Sequence, residues 1–163
     1  MKLGSAVLFA AATLAAQQVS STQQFTTIAA LGELTQLKLG QAAYQNASNP
    51  QVKSFAKQMV DVHSEAVDRL RGVASMEDLT VPNDLDQEHQ AEVDQLSKLS
   101  GATFDRAYVA AVIKDHQQDL ALYQREIASG DESGVKRWAA AEIPTVQEHL
   151  QGAQKLRAAL GTS

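Results

Sequence analysis

Cysteine is absent from the 163 residues of this chain, which excludes disulfides, thiolate catalysis and cysteine-based metal sites. Aromatic residues make up only 5% and proline occurs three times. Strands draw on aromatic and β-branched side chains, so this scarcity, beside frequent alanine, favours packed helices. No stretch alternates apolar and polar residues for long enough to predict a strand. Positive charge is also short: the net charge is −5. A nucleic-acid binder needs a cationic face, so nucleic acid is excluded as a partner. No block of like charge forms a tail, and the glycines are too scattered for a phosphate-binding loop.

Long apolar runs are nearly missing as well. The one candidate, Leu3 to Ala16, follows Lys2 and precedes Gln17. It is shorter than the roughly 20 residues a bilayer span requires. Its form is that of a secretory signal cut near Ala15 or Ala16. Residues 1–19 are therefore read as a signal peptide, the alternative being an uncleaved N-terminal anchor that would supply the chain's membrane contact. Export would place the protein in the periplasm or elsewhere beyond the cytoplasmic membrane. Residues 20–163 remain as one domain, long enough for a sizeable core.

Turn signals divide that domain into helices. Ser21 with Gln24 three residues on resembles a capping box, opening a first helix that ends near Asn46. In "NASNPQ", Asn49 suits an N-cap and Pro50 the first helical position, so a second helix runs to about Met76. The loop "EDLTVPND" leads to a short helix, about Asp86 to Leu99, closed by Gly101. Thr103 caps a third long helix to about Ser129, and "SGDES" ends it at Gly130 and starts the fourth at Asp131, which continues to Leu160. Short turns join the first and last pairs and force antiparallel hairpins. The long middle connection fits a crossover along the bundle. The predicted fold is all-α: a ferritin-like four-helix bundle of two antiparallel hairpins, with a short helix in the crossover.

Histidine interrupts the apolar seams of these helices. The second helix steps Val52, Ala56, Met59, His63, Ala66, Leu70, Val73, an unbroken four-three rhythm. The third gives Val109, Val112, His116, Leu120, Tyr123, Ile127, and the fourth Val135, Ala139, Glu142, Val146, His149, Ala153. On the first helix Phe25, Ala29, Gly32, Gln36, Leu39 and Ala43 keep the same step. His63, His116 and His149 thus fall on core faces at similar depth, whereas His89 on the short helix has no such register and reads as a surface residue. Burying three imidazoles costs several kcal/mol, of the order of 1–3 each, unless something satisfies them. A divalent metal would do so, with Glu142 or Asp119 as further ligands and zinc ahead of copper or iron. The alternative is a metal-free polar layer in which the rings bond Glu142, Asp119, Gln36, Tyr108 or Tyr123 and set which helix faces which. One ion with ligand distances near 2 Å requires the ring nitrogens to lie within about 5 Å of one another.

Dinuclear iron bundles use Glu-x-x-His on two helices. The residues three before the seam histidines are Val60, Ile113 and Val146, so that chemistry finds no motif. Pro144, between Glu142 and His149, removes the helical bond to the Ala140 carbonyl. It either shapes the site or bends the helix around its core.

The segments "VKSFAKQMVDVHSEA", "LDQEHQAEVDQLSKLSGATFDRAYVAAVIKDHQQDLALYQREIASG" and "IPTVQEHLQGAQKL" resemble the exported bacterial proteins grouped as domain of unknown function 4142, often labelled membrane or outer-membrane proteins. The resemblance covers about Gln24 to Leu160. It implies a ferritin-like bundle and export, and no established activity. Relatives typically read "AEVELG" where this chain has "TQLKLG", so Gln36 and Lys38 replace two acidic residues and a seam carboxylate is lost. The functional expectation is an exported small bundle of unknown physiological role that binds a divalent metal through core histidines. The alternatives are a metal-dependent redox or peroxide-handling enzyme, and a structural or partner-binding envelope protein with a metal-free polar core.

Overall fold

The structure, a computed structural model, describes residues 6–128 and 133–161. Among these residues the elements are five helices and no strand: α1 (Ala6–Asn46), α2 (Pro50–Met76), α3 (Gln87–Ser97), α4 (Gly101–Ala128) and α5 (Gly134–Leu160). None of these helices is long and apolar enough to cross a membrane.

The second helix starts as its sequence requires. The Asn49 side chain accepts from the backbone N–H groups of Gln51 and Val52, and Pro50 occupies the first turn, where its missing N–H costs nothing. The Asp86 side chain likewise caps α3 by accepting from His89 N. Three predicted boundaries move. Ser21 does not cap a helix, because α1 passes through it without a break. No glycine or proline occurs between Ala6 and Leu31, and the alanine- and leucine-rich segment propagates the helix. Thr103 is not a cap either: α4 opens at Gly101, whose φ of +61° lies in the left-handed region that favours glycine, and Phe104 N donates to Ser100 O. Gly130 and Asp131 lie outside the described residues, and the N-cap of α5 is Ser133, which accepts from Lys136 N.

The long helices pack in the ring α1–α2–α5–α4. Polar clasps define its two ends. At one end the carboxylate of Asp105, at the start of α4, accepts from Ser48 N at 3.0 Å, Ser48 Oγ at 2.6 Å and Asn49 N at 3.0 Å in the α1–α2 turn. At the other end Gln23 and Thr80 exchange two 2.8 Å bonds just beyond α2, and Gly134 N donates to Glu77. The chain must therefore return along the bundle between Met76 and Gly101. It does so through α3, which lies against α1 and α4 and reaches the far end where Asn46 Nδ2 donates to Ser97 O. This is the predicted crossover.

The apolar core is divided in two. One cluster, at the α1–α2 turn, contains Leu39, Met59, Phe104, Tyr108, Val112 and Ala153. The other contains Phe25, Ala30, Leu70, Tyr123, Trp138 and Val146. Between them on α1, α2, α4 and α5 lie Glu33, His63, His116 and His149, all buried, with Leu31, Leu34, Thr35 and Gln36 also buried on α1. The polar layer read from the seams thus separates two apolar halves.

Close approach of α1 to α2 depends on Gly40. A Cβ there would stand 2.9 Å from Val60 Cγ2 and 3.1 Å from the backbone oxygen of Ala56. Gly40→Ala is expected to push the two helices apart and lower stability by about 1–3 kcal/mol, read as a shift of the urea unfolding midpoint. An unchanged midpoint would refute the tight packing.

Candidate metal centre

His63, His116 and His149 come from α2, α4 and α5, with ring centroids 5.2–5.4 Å apart. One nitrogen from each ring lies within 4.8 Å of the other two, inside the 5 Å bound set above. His116 Nε2 is 3.3 Å from His149 Nδ1. Nitrogens about 2.0–2.1 Å from one tetrahedral ion stand roughly 3.3 Å apart, so this pair already has that spacing.

Hydrogen bonds assign the ring protons. His116 Nδ1 faces the Val112 carbonyl at 3.0 Å. A carbonyl only accepts, so Nδ1 carries the proton and Nε2 of the neutral ring offers a lone pair. His63 Nδ1 lies 2.5 Å from Glu33 Oε2 and donates to that carboxylate, so in the neutral ring Nε2 is the lone-pair nitrogen. His63 Nε2 is buried and has no hydrogen-bond partner among the described residues. A buried ring with an orphan nitrogen, beside two other imidazoles, is the arrangement a metal ion would complete.

Burial keeps the His116 and His149 rings neutral. It pushes His116 well below the ordinary histidine value, and the neighbouring His63 and His149 push in the same direction. Burial, followed by His63, lowers His149 to about 4, against an opposing pull from Glu33. Both rings can therefore offer lone pairs at neutral pH.

The carboxylates are arranged differently from the sequence expectation. Glu33 was not foreseen. It is buried at 5% exposure, bonds His63, and accepts from Tyr123 Oη at 2.7 Å. Its signal was faint because α1 contacts α2, α3 and α4. Its buried face consequently spans Ala29–Leu31 and Glu33–Gln36, wider than the single seam that selected Gly32 and Gln36. Glu142 is buried as read, but Arg69 holds its Oε1 at 2.8 Å. Burial raises its carboxyl and Arg69 opposes that shift. Asp119 does not join the rings. It faces Gly32, where an added Cβ would meet its Oδ1 at 3.2 Å, and lines a cleft with Asp115 and Glu92. Burial, then Glu33 and Asp115, holds its carboxyl well above the usual range. Gln36 donates to Asp115 Oδ2 at 2.8 Å, away from the imidazoles. His89 pairs with Asp86 Oδ1 at 2.6 Å, with its side chain 30% exposed.

The His149 value carries a sign that can be tested. Its folded pKa lies below that of free histidine, so its contribution to stability is intact above about pH 6.5 and is lost as pH falls toward 4. Asp115, raised to about 6 chiefly by burial, and Asp119 and Glu142, both raised, titrate in the opposite sense. The ring itself is therefore the proper readout. In metal-free protein its NMR titration midpoint is expected near pH 4, and a midpoint near 6.5 would mean that the ring faces water.

Residues 8–156 match the family described as Domain of unknown function (DUF4142). No curated protein matches the chain. Among solved structures, the chain is similar to the DUF305 fragment from Deinococcus radiodurans, with a TM-score of 0.72 and 18% identity over 87% of this chain and 96% of that one. It is also similar to the DUF305 protein from Streptomyces coelicolor, with a TM-score of 0.71 and 13% identity over 84% and 90% of the two chains. At these identities the likeness concerns the helical-bundle fold.

Proposed function

The chain belongs to the DUF4142 family, whose description states no activity, so its role has to be argued from its own residues, and we propose that it binds one divalent transition-metal ion. His63 and His116 would bind through Nε2 and His149 through Nδ1. The observation that carries this reading is the buried, unpartnered Nε2 of His63 beside two imidazoles held neutral by burial. Glu33 supports the site from outside: a carboxylate on the far nitrogen of a ligating histidine fixes the tautomer and orients the ring. Three imidazole nitrogens suit zinc first, then copper or iron. Glu142 and Asp119 stand outside this ligand set, the first engaged by Arg69 and the second turned toward Gly32.

Elemental analysis of untagged protein is expected to find about one zinc per chain after loading and dialysis. His63→Ala should abolish retention. Glu33→Gln should weaken it about 10- to 100-fold, the usual effect of removing an outer-shell carboxylate. Protein that folds normally yet retains no zinc, copper or iron would leave the metal-free polar layer as the explanation of the histidines.

Residues 1–19 are proposed as an export signal, on the apolar run behind Lys2. Expression in a bacterial host followed by N-terminal sequencing is expected to give a mature chain starting at Ala16 or Gln17, recovered from the periplasm. Intact Met1 on cytoplasmic protein would overturn this.

A further inference from the structure

Three protein nitrogens do not complete the coordination of a zinc-like ion, which takes at least four ligands. A closed structural site draws the fourth from the protein, so the nearby carboxylates decide between a closed and an open site. Glu33 is engaged on both oxygens, by His63 Nδ1 and Tyr123 Oη. Glu142 is bonded through Oε1 to both Arg69 Nε and Nη2. No cysteine exists to serve instead. Among the described residues only the three histidines bring possible ligand atoms within 4.8 Å of one another, so the remaining position is left to solvent.

One route to it is visible. A cleft of about 610 Å³ between α2 and α5 is lined by Val62, Arg69, Thr145, Gln151 and Lys155, and its lining includes His149. Neither His63 nor His116 lines it. This agrees with their exposures: His116 is 0% exposed, His63 4% and His149 7%. The acids of the cleft are partly neutralised, since Asp61 pairs with Lys57 at 2.9 Å and Glu65 lies 3.6 Å from Arg69. The walls carry both signs: Arg69 and Lys155 stand beside Asp61, Glu65 and Glu148.

We propose that the centre keeps an exchangeable coordination position that opens into the α2–α5 cleft beside His149 and takes water or a small anion. The inference rests on the metal reading above and extends it from an ion that merely fills the core to one that an external ligand can reach. An ion of this kind can act on what enters the cleft, whereas an ion closed by protein ligands cannot.

The test uses the full chain loaded with Co²⁺, whose visible absorption reports its ligands, and azide as the anion. Azide is expected to change the spectrum saturably in the wild-type protein. Gln151→Trp, a change at an exposed position on the cleft wall, is expected to weaken azide binding tenfold or more while one Co²⁺ per chain is still taken up. A stoichiometric Co²⁺ complex whose spectrum ignores azide would mean a closed site and would overturn the inference while leaving the metal reading intact. Azide binding of equal strength in Gln151→Trp would overturn the assignment to this cleft. Failure to bind Co²⁺, zinc or copper at all would remove the metal reading and the open position with it.

Discussion

The 2.5 Å contact between Glu33 and His63 joins α1 to α2 at a depth where neither side chain reaches water. An unpaired carboxylate or imidazole there would be strongly unfavourable, and paired they share a proton-mediated bond in a low-dielectric interior. The bond also determines which nitrogen of His63 is free. With Nδ1 occupied by Glu33, Nε2 is left without a partner, on a ring that sits beside His116 and His149. Tyr123 reaches the other oxygen of Glu33 from α4, so three helices meet through one carboxylate.

This layer has consequences on both sides. It splits the core into an apolar half around Phe104, Tyr108 and Met59 and another around Phe25, Tyr123 and Trp138. Each half packs through aromatic contacts, such as Phe104 stacked on Tyr108 at 5.9 Å and Tyr123 edge-on to Trp138 at 5.3 Å. Sliding one helix by a turn would bring apolar residues against Glu33 and strand its charge. Such a layer would set helix register, at the cost of an orphan nitrogen on His63. That cost is what a metal ion would offset, so the metal-binding and register-setting roles of the histidines are compatible.

The histidines were legible because they stand on a four-three seam on three helices, and two-sided packing in a bundle buries such a seam. Met59, Ala66, Val112 and Ala153, their seam neighbours, are all buried as the rhythm demands. Glu33 was not legible, because its helix touches three others and a single seam undercounts its buried face. Glu142 was placed correctly inside the core but its partner was not. Arg69 lies outside the apolar seam of α2, yet it bends its guanidinium inward, as long cationic side chains can. Asp119, one turn beyond His116 on the same helix, has its Oδ1 beside Gly32 of α1, a placement the seam of α4 alone does not give.

Pattern and turn chemistry were enough to define an all-helical chain, its two hairpins, the crossover and the depth of His63, His116 and His149, because periodicity, caps and loop lengths are local properties. The rotation of each helix about its own axis is not local. It depends on how all the faces pack at once, and it decided that the carboxylate on the far nitrogen of His63 is Glu33, that Arg69 occupies Glu142, and that His149 is the ring beside the α2–α5 cleft.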